Sequence, residues 1–122
     1  MKLFRPPDSC AVVIPCFNEA DRLNVDAFAE FVCDSDDVEL IFVDDGSSDE
    51  TLKSAQLVSE KAGSSVSVLR LEKNCGKAEA VRQGMLWAAQ REFSVIAFWD
   101  ADLATPLETI PEFLEVLSKH ST

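Results

Sequence analysis

Val95-Ile96-Ala97-Phe98-Trp99-Asp100-Ala101-Asp102-Leu103-Ala104-Thr105-Pro106 is the stretch on which the fold turns. Its apolar run, Val95 to Trp99, ends abruptly in two aspartates with one small residue between them. A short apolar run bounded by turn residues reads as a buried strand. The carboxyl end of such a strand is the ligand edge of an open α/β sheet. In an extended segment residues two apart point to the same side, so both carboxylates are expected to face one ion. Mg²⁺ and Mn²⁺ favour oxygen ligands and are often held by one or two carboxylates together with substrate phosphates. The stretch points to a metal–diphosphate site at the end of a strand.

Upstream, three more short apolar runs have the same character: Ala11-Val12-Val13-Ile14, closed by Pro15, then Leu40-Ile41-Phe42-Val43, and Val66-Ser67-Val68-Leu69. Most are rich in β-branched or aromatic side chains, which favours strand. Helical periodicity fills the gaps. Leu23, Ala27, Phe28, Phe31 and Val32 form one stripe, Leu52, Ala55, Val58 and Ala62 a second, and Ala78, Val81, Met85 and Ala88 a third. Ile110, Phe113, Leu114 and Leu117 predict a fourth helix. Ser47-x-x-Glu50 reads as a capping box, and Asn18 with Asp21 as the opening of the first helix. Thr105-x-x-Glu108 and Thr109-x-x-Glu112 both resemble caps for the last helix, and Pro111 fits the first turn of the later choice. The β-α-β-α-β-α-β-α order predicts an α/β fold: a three-layer, mostly parallel sheet with helices on both faces and right-handed crossovers.

The 122 residues suffice for one domain, 1–122, with a real core. Apolar residues make up 47% and charged residues 27%, as in soluble globular proteins. No apolar run approaches the ~20 residues needed to span a bilayer. Met1-Lys2-Leu3-Phe4-Arg5-Pro6-Pro7 lacks the apolar stretch of a signal peptide, so the expected location is the cytoplasm. A net charge of −11 without any cluster of Lys or Arg argues against nucleic acid and against electrostatic attachment to anionic lipid. Asp34-Ser35-Asp36-Asp37 reads as a solvated loop, whereas Asp44-Asp45 follows a strand and needs its own explanation. Cys10, Cys16, Cys33 and Cys75 lack C-x-x-C spacing, and His120 is the single histidine. A Cys/His zinc site is therefore not expected, and the cysteines read as reduced thiols filling core and loops.

Polar residues follow three of the strands: Pro15-Cys16-Phe17-Asn18-Glu19, Asp44-Asp45-Gly46-Ser47-Ser48-Asp49 and Asp100-Ala101-Asp102. Asn18, Asp45 and Asp49, each taken alone, read as helix caps or turn formers. Gathered on one sheet edge, clustered carboxylates repel one another unless a cation or donor groups compensate. Asn74-Cys75-Gly76-Lys77 follows the third strand and opens a helix, whose N-terminus favours anions. Lys77 adds a mobile positive charge there. Neither G-x-x-x-x-G-K-[ST] nor G-x-G-x-x-G occurs, which excludes a P-loop and a dinucleotide fingerprint.

Taken in order, Ile14-Pro15-Cys16-Phe17-Asn18-Glu19, Val43-Asp44-Asp45-Gly46-Ser47-Ser48-Asp49-x-Thr51, Asn74-x-Gly76-Lys77-x-x-Ala80-x-x-x-Gly84 and Asp100-Ala101-Asp102 are a recognisable set. From about Cys10 to Leu117 the chain resembles the nucleotide-sugar-binding half of family-two inverting glycosyltransferases, of the Rossmann-like GT-A fold. The extension Asp102-Leu103-Ala104-Thr105-Pro106 is most similar to the branch that transfers glucose or mannose to polyprenyl or dolichyl phosphate.

The resemblance implies a donor that is a UDP- or GDP-linked hexose and a lipid-phosphate acceptor. It places Pro15, Phe17 and Glu19 along the nucleotide, and Asp45, with Asp44, at the base or ribose edge. Lys77 is expected near the nucleotide or its phosphates. Asp100 and Asp102 are the D-x-D pair for Mg²⁺ or Mn²⁺, with Asp102 foremost as direct ligand. Such a metal acts as a Lewis acid on the departing diphosphate. Inversion needs one direct attack on the anomeric carbon, and a phosphate acceptor asks little of a general base. The family pattern continues into an acceptor half, and this chain ends about twenty residues past the pair. The expectation is thus the donor-binding portion, with any catalytic base in that further half. In a full-length form it is expected at the cytoplasmic face of a membrane. Apolar surface left uncovered where that half packs can drive self-association.

Four other classes share part of this pattern. Haloacid-dehalogenase-like phosphatases have a D-x-D-x-T/V motif, but here Ala104 holds the T/V position and the pair comes late in the chain. A phosphoreceiver domain needs an acidic pair after its first strand and a late strand-end lysine. Sugar nucleotidyltransferases usually begin with a Gly-rich basic loop, whereas Pro15-Cys16-Phe17-Asn18-Glu19 is acidic. A non-catalytic nucleotide- and metal-binding module on the same fold is the remaining alternative.

Overall fold

A computed structural model describes residues 9–103 and 105–120, without the side chains of Phe113 and residues 116–120. The lead-in Met1 to Pro7, Ala104 and the side chains of Phe113, Leu117 and His120 lie outside the described residues. The elements run β1 (Cys10–Cys16), α1 (Val25–Cys33), β2 (Val38–Asp44), α2 (Thr51–Ala62), a 3-10 turn (Gly63–Ser65), β3 (Val66–Arg70), α3 (Lys77–Ala89), β4 (Val95–Phe98) and α4 (Thr109–His120). The strands form one parallel sheet in the order β3-β2-β1-β4. The chain steps outward from β1 through β2 to β3, then returns to the other side of β1. The order therefore reverses between β1 and β4, and a crevice is expected outside their carboxyl ends.

β1 and β2 are buried along their whole length, which is why they read as continuous apolar runs. One face of the sheet, with Val12, Ile14, Leu40 and Phe42, packs against Phe28 and Val32 of α1, Ala55 and Val58 of α2 and Ile110 of α4. Phe28 meets Phe42 edge-on, ring centroids 5.2 Å apart and planes at 81°. Such a pair adds about 0.5–1.5 kcal/mol beyond the area it buries. The opposite face, with Ala11, Val13, Ile41 and Val43, packs against Ala80 and Ala88 of α3. Helices thus cover both faces, as the alternating order predicted. Among the described residues no helix is long and apolar enough to cross a membrane.

Several local expectations change. Pro15 does not end β1, which continues to Cys16. The Val13 carbonyl accepts from Trp99 N at 2.9 Å and the Cys16 carbonyl from Asp45 N at 2.8 Å. Odd residues of β1 therefore turn their polar groups towards β4, whose pairing stops at Val13↔Phe98. Pro15 falls just beyond, where its missing N–H forfeits no ladder bond. The first helix opens at Asn24, whose Oδ1 accepts from Ala27 N at 3.0 Å, not at Asn18 or Asp21. Ser47 and Glu50 form no capping box either: Glu50 is the N-cap of α2 and makes no side-chain cap bond. The last helix starts at Thr109, the later of the two candidates, with Pro111 in its first turn.

The third stripe also shifts. Ala88 is buried as expected, but its fully buried companions are Ala80 and Gly84; Met85 packs only partly buried against the same core, and Ala78, Val81 and Met85 line an apolar groove with Leu86, Ala89 and Ile96. Small residues win this face because the helix lies directly on the sheet. A Cβ on Gly84 would fall 2.4 Å from Val13 Cγ1 and 3.0 Å from Val43 Cγ2. Gly84→Ala gains about 1 kcal/mol of helix propensity but incurs an overpacking cost of about 1–3 kcal/mol. The expected result is a lower urea midpoint at unchanged slope; a raised midpoint would contradict so close a helix–sheet contact.

Candidate active site at the carboxyl edge of the sheet

The end of β1 and the segments that follow β2, β3 and β4 meet at one cavity of about 320 Å³, lined by Pro15, Cys16, Phe17, Glu19, Asp45, Asn74, Lys77, Asp100, Ala101 and Asp102. It lies at the crevice between β1 and β4. Pro15, Phe17, Glu19, Asp45, Lys77, Asp100 and Asp102, singled out from the sequence, therefore share one site. Asp44 does not. It is 1% exposed, lines no part of the cavity, and its Oδ1 accepts from Ser47 N at 3.3 Å, closing the turn behind the wall.

Asp45 is held on both carboxylate oxygens. Its Oδ1 accepts from Cys75 N at 2.7 Å, and its Oδ2 accepts from Gly76 N at 3.0 Å and from Asn74 Nδ2 at 3.0 Å. Asn74 Nδ2 also reaches the Asp45 carbonyl at 3.2 Å. A buried carboxylate needs such donors to offset lost hydration. The contacts bind the end of β2 to the turn that opens α3. Gly46 makes room for this turn: its φ is +71°, and a Cβ would fall 2.5 Å from both Asn74 N and Lys73 C. Asn74 is the wall residue that sequence reasoning underrated. The signal was its place at the head of the Gly76-Lys77 turn.

The loops after β1 and β2 are laced together. Asn18 N donates to Ser47 Oγ at 2.9 Å, and Ser48 N donates to Asn18 Oδ1 at 3.0 Å. Glu19 N donates to Thr51 Oγ1 at 2.7 Å, while the Thr51 hydroxyl donates to Asp49 Oδ1. That hydroxyl, ahead of bonds from the Thr51 and Ala20 amides, holds the Asp49 carboxyl below its usual range. Glu19 is paired with Arg22 at 3.0 Å. Cys16 lines the cavity but is almost fully buried, its thiol pushed up by burial and then by the Asp44 and Glu19 carboxylates, so it stays protonated and inert. All four cysteines are free thiols, as expected.

The aspartate pair is not a continuation of the strand. β4 ends at Phe98, and Leu103 N donates to the Asp100 carbonyl at 3.1 Å, closing a turn. Ala101, 4% exposed, is tucked into the core, and Asp100 and Asp102 flank it on the cavity wall. Both carboxylates reach one site, through a turn and not through extended alternation. The Trp99 indole donates to the Thr105 carbonyl at 2.8 Å and so ties down the following segment. Lys77 Nζ lies 2.6 Å from Asp100 Oδ1 and 5.8 Å from the centroid of the Phe98 ring.

No group of three or more His, Cys, Asp or Glu that could hold a metal occurs among the described residues. Asp100 and Asp102 nonetheless suit Mg²⁺ or Mn²⁺ as hard oxygen donors, since such ions complete their shell with water and substrate phosphate. The N-terminus of α3 beside them offers N–H groups to an anion. The chemistry of the donor set thus fits a metal that is shared with a diphosphate.

The model of the family described as "Glycosyl transferase family 2" matches residues 11–122. Undecaprenyl-phosphate 4-deoxy-4-formamido-L-arabinose transferase of Edwardsiella ictaluri is 32% identical over 118 residues, covering 94% of this chain and 35% of that protein. The same-named protein of Pseudomonas aeruginosa is 34% identical over 113 residues, covering 90% and 32%. Among solved structures, S. aureus TarS 1–349 superposes with a TM-score of 0.72 at 22% identity, covering 92% of this chain and 33% of that one. TarS 1–349 in complex with UDP-GlcNAc does so with a TM-score of 0.66 at 23% identity. The chain spans about a third of the length of these proteins. The superposition establishes the Rossmann-like GT-A architecture, and the match over nearly its whole length shows that the chain belongs to glycosyl transferase family 2.

Proposed function

We propose that residues 1–122 form the donor-binding domain of an inverting glycosyltransferase, which takes a nucleotide-diphosphate sugar and passes its sugar to a polyprenyl phosphate. The observation that carries this is the single cavity into which the end of β1 and the segments that follow β2, β3 and β4 deliver an exposed aromatic, a clamped turn, a lysine and an aspartate pair. The relatives' names support the acceptor class, and their substituted arabinose widens the expected sugar beyond a hexose. UDP is the first nucleotide to test, with GDP beside it.

In this reading Phe17, 43% exposed at the cavity mouth, offers a face to the base, beside Pro15 and Glu19. Asp45 serves the nucleotide from the wall by fixing the turn that presents Lys77 to the phosphates, and Asp44 braces the neighbouring turn from behind. Asp102, with Asp100, would hold Mg²⁺ or Mn²⁺, which supplies charge neutralisation to the leaving diphosphate. The acceptor phosphate oxygen forms its bond to the anomeric carbon as the bond from that carbon to the diphosphate oxygen breaks. The electron pair leaves with the nucleoside diphosphate. An anionic acceptor needs no proton removed in this step. A lipid-phosphate acceptor places the reaction at a membrane surface, and we assign it to the cytoplasmic face. The outer groove of α3, beside exposed Leu86 and Phe98, is the surface on which self-association would rest.

Calorimetric titration with UDP and GDP, in Mn²⁺ and again in EDTA, tests the reading. One nucleotide is expected to bind in a metal-dependent way, and Asp102→Asn to weaken that binding by roughly tenfold or more at unchanged stability. Equal binding by parent and variant, with and without chelator, would sink the metal assignment. Asp45→Ala is expected to speed amide exchange at Cys75 and Gly76 while the central strands stay protected, and to weaken nucleotide binding with it. Unchanged exchange at those two amides would mean that the turn holds its shape without the carboxylate.

A further inference from the structure

Lys77 stands at an electrostatically awkward place. As the first residue of α3 it puts a positive charge at the positive end of the helix dipole, which helix formation does not favour. Its partner lies outside the helix, in Asp100 at 2.6 Å. The Lys77 side chain is 61% exposed and that of Asp100 47%, so the pair is solvated, weak and quick to exchange. Yet the oxygen it occupies belongs to one of the two carboxylates on the cavity wall that suit a divalent cation.

The other charges of the wall have different compensation. Glu19 is paired with Arg22, and Asp45 is satisfied by N–H donors. Lys77 is thus the lysine paired with the first carboxylate of the D-x-D pair. A divalent metal and a dianionic diphosphate together add no net charge, so the ammonium can change partner without leaving either charge exposed. Its four-carbon stem and freely rotating head permit the swing, which a planar guanidinium would hinder.

We propose that Lys77 is an exchangeable counter-cation: it pairs with Asp100 before ligand arrives, and moves to the diphosphate when Asp100 turns to the metal. The proposal rests on the nucleotide-diphosphate reading above. Two effects of opposite sign follow. Lys77 hinders metal that comes alone, and favours nucleotide that comes with or without metal. Metal and nucleotide are thereby coupled, each binding better in the presence of the other.

The test is Mn²⁺ binding followed by the electron paramagnetic resonance of the free ion, on the 122-residue chain without nucleotide. Parent, Lys77→Met, Lys77→Gln, Asp100→Asn and the Lys77→Met/Asp100→Asn double variant are compared. Lys77→Met and Lys77→Gln are expected to bind Mn²⁺ more tightly by a factor of about two to five, the range an exposed ion pair is worth in an equilibrium constant. That gain should vanish in the Asp100→Asn background. UDP or GDP titrated in EDTA should bind the Lys77 variants more weakly than the parent. Equal or weaker Mn²⁺ binding by the Lys77 variants, or none by any chain, would overturn the proposal. So would a gain that persists without Asp100, since it would come from the general field and not from the pair. Failure of the parent to bind either nucleotide in Mn²⁺, with the Mn²⁺ pattern as stated, would instead overturn the donor-site reading and leave only the competition of Lys77 with metal at Asp100 standing.

Discussion

The carboxylate of Asp45 joins the sheet to the site. It is 2% exposed, and its bonds to the Cys75 and Gly76 amides and the Asn74 side chain fix where α3 begins. Everything downstream inherits that placement. α3 lies flat on Val13 and Val43 because Gly84 leaves no Cβ between them. Lys77 then projects from the helix start to Asp100 at the end of β4. A buried charge satisfied by donors is costly to disturb, because removing either side leaves an unpaired group. The position of the lysine is thus set by the end of β2, from thirty-two residues earlier in the chain.

A chain carrying −11 is an unexpected host for an anionic ligand. The wall shows how the difficulty is met. Asp44 is kept behind the cavity, Asp45 is clothed by N–H donors, and Glu19 is paired with Arg22. Asp100 and Asp102 remain at the surface of the cavity, where, in the proposed reading, a divalent cation would turn two negative charges into an anchor for phosphate. The helix N-terminus and Lys77 supply what positive potential the chain itself has there. The acidic overall charge therefore acts against nucleic acid and anionic surfaces more than against a ligand that brings its own metal.

Much of this was legible in the sequence, and what was not has physical causes. Central parallel strands are buried on both faces, so β1 and β2 showed as apolar runs, and the alternating order gave the architecture. The end of β1 was misplaced at Pro15 because the effect of a missing N–H depends on which neighbour that residue faces, and periodicity does not carry this. Asn18 looked like a helix cap, yet its partners are Ser47 and Ser48, whose loop follows a different strand. Hydropathy assigned Ala78, Val81, Met85 and Ala88 to the buried side of α3; Ala88 is fully buried and Met85 partly so, whereas close approach selected Ala80 and Gly84 over Ala78 and Val81. The two aspartates line one cavity, but not by the extended alternation that the sequence suggested. Ala101 turns into the core, and the turn carries both carboxylates to the wall.

In the proposed reading a metal and a nucleoside diphosphate meet at the reversal point between β1 and β4. The most direct measurement is the backbone amide spectrum of the chain with Mn²⁺ and UDP, then with Mn²⁺ and GDP. Paramagnetic broadening should be strongest at Asp100 to Leu103, then at Cys16 to Glu19 and Cys75 to Lys77. Amides of α1 and of the amino ends of the strands should stay sharp. Broadening centred elsewhere, as in the groove between Phe31 and Leu107, would contradict the account.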